Sequence, residues 1–217
     1  MIAVLDYGAG NLQSVVKAFR FIGREPVITS DPEKLAEASA AVLPGVGAFG
    51  DAMGCLRRSG LMRPVLEYID SGRPFLGICL GLQMLFEESE EAPGVPGLGV
   101  LKGRIRRIPD APGLKIPHIG WNSLDLADRG GLFQGLEEHP YAYFVHSYYL
   151  QAEDRGVVTA TARYGVTIDA SVRRGNLFAT QFHPEKSGRA GLQMLRNFAA
   201  RIGEEDSPCM QNGSSPV

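Results

Sequence analysis

One stretch constrains the fold more than any other. Residues 74–83 read Pro-Phe-Leu-Gly-Ile-Cys-Leu-Gly-Leu-Gln, a short apolar run through a glycine-flanked cysteine that continues with Leu82, Leu85 and Phe86 at helical spacing. Gly77-Ile78-Cys79-Leu80-Gly81 has the form glycine, any residue, nucleophile, any residue, glycine. In so tight a strand-to-helix turn the central side chain is thrown outward, and the glycines let the two backbones approach. The turn also sets Cys79 at a helix N-terminus, where unpaired N–H groups and the positive dipole end favour thiolate over thiol. An arbitrary cysteine is usually an inert core residue. The two glycines and the strand-then-helix setting reverse that expectation, and Cys79 reads as a nucleophile.

The first ninety or so residues supply a sheet for this elbow. Buried-strand runs at 2–5, 26–29, 41–43 and 75–78 alternate with helical patterns at 12–22, 32–38, 53–58 and 62–69. Gly23 stops the first helix, Asp31-Pro32 caps and opens the second, and Pro44 is expected to break the third strand. Such alternation implies crossovers and a mostly parallel sheet, with reactive groups at the carboxyl ends of its strands, where Cys79 falls. After Glu91 the texture changes. Strand-like runs at 103–108, 143–150, 157–163, 167–172 and 177–182 suggest antiparallel hairpins laid onto the sheet, with a turn at 173–176. A helix over 187–202 follows. The expected architecture is α/β: a mostly parallel central sheet with flanking helices and added antiparallel strands in the C-terminal half. It forms one domain over residues 1–203, and the polar tail 204–217 is expected to be disordered.

Composition removes whole classes of function. A net charge of −2 offers nothing to nucleic acid, and no segment approaches the ~20 apolar residues of a membrane span. The N-terminus lacks a basic region, so no signal peptide is expected and the chain is placed in the cytoplasm. Cys55, Cys79 and Cys209 are scattered without a Cys-x-x-Cys pair, which suggests neither a disulfide framework nor a metal site. Asp6-Tyr7-Gly8-Ala9-Gly10-Asn11 begins like a dinucleotide fingerprint but lacks the third glycine, so no cofactor is implied.

A thiolate nucleophile needs a base, and the base needs an orienter. Of four histidines, His183 ends a strand-like run and stands two residues from Glu185. In an extended chain those two side chains project to the same side, so the carboxylate can fix the imidazole tautomer. His118 and His139 sit beside prolines in loop-like context; His146 lies in a strand-like run and competes on composition alone. Pro44-Gly45-Val46-Gly47 follows a strand at the same sheet edge as Cys79, and its glycines let backbone N–H groups point inward, as an oxyanion hole requires. Gly45 and Gly47 would also let the Val46 peptide swing at low cost.

These motifs together resemble the class I, or triad, glutamine amidotransferases. Within them, Leu5-Asp6-Tyr7-Gly8-Ala9-Gly10-Asn11, Pro44-Gly45-Val46-Gly47, Ile119-Gly120-Trp121-Asn122 and Gln181-Phe182-His183-Pro184-Glu185-Lys186 resemble the glutaminase subunits of imidazole glycerol phosphate synthase. The resemblance implies a flavodoxin-like fold and hydrolysis of glutamine through a thioester on Cys79, with His183 and Glu185 completing the triad. It implies an oxyanion hole from Val46, Gly47 and Leu80, and glutamine binding by Gln83 and the Ser147 and Tyr148 backbone. It also implies a cyclase subunit as heterodimer partner, faced by Trp121, Tyr143 and Lys186. Another triad glutaminase, such as the one serving pyridoxal phosphate synthesis, is disfavoured by residues 7–11 and 120–122. A thiol esterase would want a wide apolar pocket, and a regulatory pseudo-subunit would not keep the whole triad.

Overall fold

The computed structural model describes residues 1–203, so the expectation for the tail lies outside the described residues. The chain begins with β1 (Ile2–Leu5), α1 (Leu12–Phe21), β2 (Pro26–Thr29), α2 (Pro32–Glu37) and β3 (Ala40–Gly45). It continues with α3 (Phe49–Arg58), α4 (Met62–Asp70), β4 (Phe75–Cys79) and α5 (Leu80–Met84). Then come β5 (Glu88–Ser89), β6 (Gly103–Arg107), β7 (His118–Ser123), β8 (Asp125–Leu126), β9 (Tyr141–His146) and β10 (Tyr148–Ala152). Last are β11 (Val158–Tyr164), β12 (Val166–Arg174), β13 (Leu177–Thr180) and α6 (Gly188–Ala200).

Among the described residues the main sheet has the order β2-β1-β3-β4-β13-β12-β11-β8. The pairs from β2 through β13 are parallel, and β12, β11 and β8 add antiparallel strands at one edge. The expected mixed α/β architecture is therefore found, with one refinement. Of the later strands, β8 and β11 to β13 extend the sheet edge to edge rather than lying over it, and β13 enters parallel to β4, directly beside the cysteine strand.

Period-two alternation divides the core between the two faces of the sheet. Ala3, Leu5, Ala41, Leu43 and Phe75 face a cluster that includes Leu35, Met53, Leu56, Val65 and Leu82 from α2 to α5. Ile2, Val4, Val42, Leu76 and Ile78 face the opposite cluster, with Val15 and Phe19 of α1 and Leu195 and Phe198 of α6. Both faces of the parallel strands are thus covered, which is why β1, β3 and β4 read as unbroken apolar runs. At the head of α2, Asp31 accepts a hydrogen bond from the Glu33 N–H at 2.9 Å, the cap that its place before Pro32 led one to expect. No helix among the described residues is long and apolar enough to cross a membrane.

Three expectations need correction. Pro44 does not end β3, which runs on to Gly45; β1 pairs with β3 only as far as Val42, so by Pro44 no ladder on that side needs its missing N–H. The run 143–150 is two strands: β9 pairs with β7 in a separate ribbon, β10 pairs with β6 in a small second sheet, and Ser147 is the corner. A bond from His146 Nδ1 to Tyr148 O, 2.9 Å, spans that corner. His118 begins a strand rather than lying in a loop; Pro117 before it and Gly120 inside it, at φ 128°, disguise the pattern.

Candidate active site

The elbow forms as the glycines require. Cys79 ends β4 with φ 57° and ψ −106°, the single non-glycine residue with positive φ among those described. Holding a side-chain-bearing residue there costs about 1–3 kcal/mol, so the surrounding structure must impose it. It does so through close backbone contacts. A Cβ on Gly77 would stand 2.9 Å from Gly81 O, and one on Gly81 would overlap the Leu43 carbonyl oxygen. Helix α5 is shorter than the expected pattern, ending at Met84, with Leu85 and Phe86 buried beyond it.

Gly45 lies opposite Cys79 in the β3–β4 register. A Cβ there would meet Leu80 Cβ and the Tyr7 hydroxyl, each at 2.8 Å. This corrects the hinge expectation for that residue: Gly45 is a close-approach glycine inside a strand. Gly47, at φ 97° with open space around its Cβ position, is the one whose backbone demands glycine conformationally. Between them Val46 is 43% exposed at the rim of the site. Leu80 is the first residue of α5, so its N–H has no carbonyl one turn back to bond.

His183 and Glu185 meet, though by another geometry than alternation along a strand. Residues Pro184–Lys186 form a 3-10 turn, suited to proline's fixed φ and missing N–H at the first position. The turn brings His183 Nδ1 to 2.7 Å from Glu185 Oε1, with the two side chains only 3% and 1% exposed. Burial disfavours imidazolium, but the adjoining Cys79 and Glu185 side chains outweigh it and push the His183 pKa up to about 10. His183 Nε2 is buried without a partner at hydrogen-bonding distance, so the bond expected between it and Cys79 is open, as is common for such pairs before a substrate arrives. The backbone is held as firmly: His183 N–H donates to Tyr143 O at 2.9 Å, and Ser187 Oγ donates to His183 O at 2.6 Å.

These groups open into one cavity of about 310 Å³, small but within the range of ligand pockets. Its walls include Val46, Gly47, Cys79, Leu80, Gln83, Ser147, Tyr148 and His183, which brings the expected nucleophile, base, oxyanion and substrate residues together. Gln83 Nε2 donates to Tyr148 O and to Gln181 Oε1, both at 3.0 Å. Both of its amide hydrogens are thus committed, and a substrate can be met only by its oxygen. His146 also lines the cavity, but one ring nitrogen bonds Tyr148 O and the other lies 3.1 Å from His118 Nδ1. Burial pulls its pKa down to about 3 and that of His118 to about 4, so this rival to His183 is held neutral with both ring nitrogens engaged.

Trp121, Tyr143 and Lys186 lie apart from the cavity wall and close to each other. Trp121 faces Tyr143 across the β7–β9 ribbon with ring centroids 6.1 Å apart, and Lys186 Nζ lies 5.9 Å from the Tyr143 ring. Trp121, Ile119 and Tyr141 are exposed, an aromatic face on the ribbon whose Tyr143 carbonyl anchors His183. Two polar residues escaped the sequence reading. Glu91 at the cavity rim accepts the Phe49 N–H at 2.8 Å, and Gln181, wholly buried, reaches the Cys79 sulfur. Gln181 stands two residues before His183, and nothing in that spacing says that its amide turns inward.

The chain matches the glutamine amidotransferase class-I family model over residues 3–202. The imidazole glycerol phosphate synthase subunit HisH of Methanothermobacter thermautotrophicus is 54% identical over 202 residues, covering 93% of this chain and 99% of the relative. The subunit of the same name from Syntrophotalea carbinolica is 51% identical, covering 91% and 98%. Among solved structures, a glutamine amidotransferase superposes with a TM-score of 0.73 at 24% identity, covering 93% of this chain and 98% of that one. PurLQS from Thermotoga maritima superposes at 0.71 with 21% identity, covering 92% and 97%. At such identities these two speak for the fold alone. The family model over nearly the whole chain and relatives more than half identical say more: the chain belongs to the class I glutamine amidotransferases and, within them, to the family of imidazole glycerol phosphate synthase HisH subunits.

Proposed function

We propose that this chain is the glutaminase subunit of an imidazole glycerol phosphate synthase. It hydrolyses glutamine to glutamate and ammonia. A cyclase subunit, its heterodimer partner, uses the ammonia to make imidazole glycerol phosphate and an aminoimidazole carboxamide ribonucleotide in histidine biosynthesis. One observation carries the reading: a strained cysteine and a histidine held at 2.7 Å by a buried carboxylate open into the same cavity in a chain of this family.

The chemistry follows from the positions. Cys79 Sγ attacks the side-chain amide carbon of glutamine, and the carbonyl electrons move onto oxygen, met by the N–H groups of Leu80 and of the Val46–Gly47 segment. His183, charged at neutral pH, gives its Nε2 proton to the departing nitrogen; ammonia leaves and the glutamyl thioester remains. The imidazole, now neutral, takes a proton from water as the oxygen attacks the thioester. Collapse returns the electron pair to sulfur and releases glutamate. Glu185 holds the Nδ1–H throughout and balances the imidazolium charge. Gln83 and the chain at Ser147 and Tyr148 hold the substrate.

Ammonium has no lone pair to attack with, so the product must travel as neutral ammonia, shielded from water. Trp121, Tyr143 and Lys186 form the face on which the cyclase seats over the site. Residues 1–203 act as one amidotransferase unit, working in the cytoplasm. Cys79→Ala tests the reading. In the complex it should abolish glutamine-dependent synthesis and leave ammonia-dependent synthesis nearly intact. Loss of both would make Cys79 structural; unimpaired glutamine use would refute the mechanism.

A further inference from the structure

The cavity is backed by a chain of hydrogen bonds, exposed at its Asn122 end and buried where it reaches the cysteine, whose direction can be worked out link by link. Asn122 Nδ2 donates to the Arg163 carbonyl at 3.0 Å, so it is the amide nitrogen that lies 3.5 Å from His118 Nε2, and that ring atom is an acceptor. His118 therefore carries its proton on Nδ1 and donates to His146 Nε2, 3.1 Å away. His146 then carries its own on Nδ1 and donates to Tyr148 O, which as a carbonyl can only accept. Gln83 Nε2 donates to the same carbonyl, and its second hydrogen points at Gln181. Gln181 must answer with Oε1, which leaves its Nε2–H facing Cys79 Sγ at 3.8 Å. Were the Gln181 amide turned over, two N–H groups would face each other at Gln83 and a carbonyl oxygen would face the sulfur.

We infer that Gln181 is a further catalytic residue of this site: its amide N–H donates to the Cys79 sulfur and stabilises the thiolate, and Gln83 fixes the direction of that amide. The inference rests on the reading of Cys79 as the nucleophile. Gln181 is fully buried and its own N–H is tied to Ala170 O at 2.8 Å, so the donor is preorganised rather than recruited. Sulfur bears negative charge twice in the cycle, before attack and again when the thioester collapses, and the donor serves both moments. It also assigns Gln83 a second task beside substrate binding. The titratable groups around the sulfur are His183 with Glu185 and His146 behind it, Tyr7 from the loop after β1, and Glu91 at the rim. None of them is altered by changing Gln181.

The test is the pH dependence of iodoacetamide alkylation at Cys79, followed by peptide-resolved mass spectrometry on the intact chain. Gln181→Leu removes the donor at similar volume, and its alkylation midpoint should move upward by about one pH unit, the effect of losing one hydrogen bond to a charged group. Gln181→Met, unbranched and equally without a donor, decides the matter if the leucine variant fails to fold. A fall in turnover or melting temperature with an unmoved midpoint would show a packing role and overturn the assignment. If wild-type Cys79 is no more reactive at neutral pH than Cys55, the nucleophile reading itself fails. If it is reactive and the variants match it, only the role of Gln181 fails.

Discussion

Glu185→Gln separates charge from shape at the triad. The carboxylate is 1% exposed, bonds His183 Nδ1 at 2.7 Å and is one of two groups that raise the His183 pKa to about 10 against burial. Glutamine can still accept from Nδ1–H, so the tautomer survives and the imidazolium loses only its counter-charge. Replacing a charge-assisted hydrogen bond by a neutral one forfeits about 1–2 kcal/mol, which corresponds to a turnover roughly 5–30-fold lower. Removing the imidazole by His183→Ala should cost far more, about as much as removing the nucleophile, because the two act as a unit. The histidine's titration is the sharper readout. With one support gone and burial still opposing charge, ring-proton NMR should place its midpoint at least about one pH unit below that of the parent, worth ~1.4 kcal/mol. A His183 that still titrates near 10 in the variant would refute the account of how the site holds its proton.

The same histidines shape stability against pH. His183, raised by its partners, contributes stability that is full below 6.5 and is lost as pH climbs through about 10. His118 and His146, lowered by burial to about 4 and about 3, make the fold weaker as pH falls from 6.5 toward those values, because only the unfolded chain binds their protons there. Chemical denaturation across pH should therefore peak near 6.5, with Glu185→Gln flattening the alkaline limb alone. Gly81→Ala drives a methyl group into the Leu43 carbonyl oxygen; a loss of about 3 kcal/mol or more is expected, read as a melting point lower by roughly 6–12 °C. Trp121→Ser, at a 56% exposed position, should leave the melting point alone and weaken binding to the cyclase about 30-fold or more, measured by calorimetry.

What was legible in the sequence was what short-range chemistry dictates. Strand runs buried on both faces, the Asp31 cap and the Gly77 and Gly81 contacts all follow from residue type and spacing, whereas His183 meets Glu185 through a 3-10 turn and not through the extended alternation expected. The second half was harder because its strands change partners. Nothing within 143–150 marks Ser147 as the corner; it exists because β9 and β10 belong to different sheets and His146 bonds across it. Pro44 misled for a related reason, since a proline breaks a strand only where a neighbour needs its N–H. Gln181 was invisible because the direction of its amide is set by Gln83, 98 residues away in the chain, which the Tyr148 carbonyl orients in turn.

The backbone at Cys79 carries an evolutionary consequence. A φ of 57° with ψ −106° suits glycine and penalises every other residue. Cys79→Gly should therefore relieve the strain and raise stability while ending catalysis, whereas Cys79→Ala keeps the strain and gains nothing. A mutational scan scored by folding would rank glycine above the native residue at this position. The same scan scored by growth without histidine would reject it. On the proposed mechanism, position 79 would be held by selection for chemistry against a standing pull from the fold, and a lineage released from the chemistry would be expected to lose the cysteine before it lost the glycines beside it.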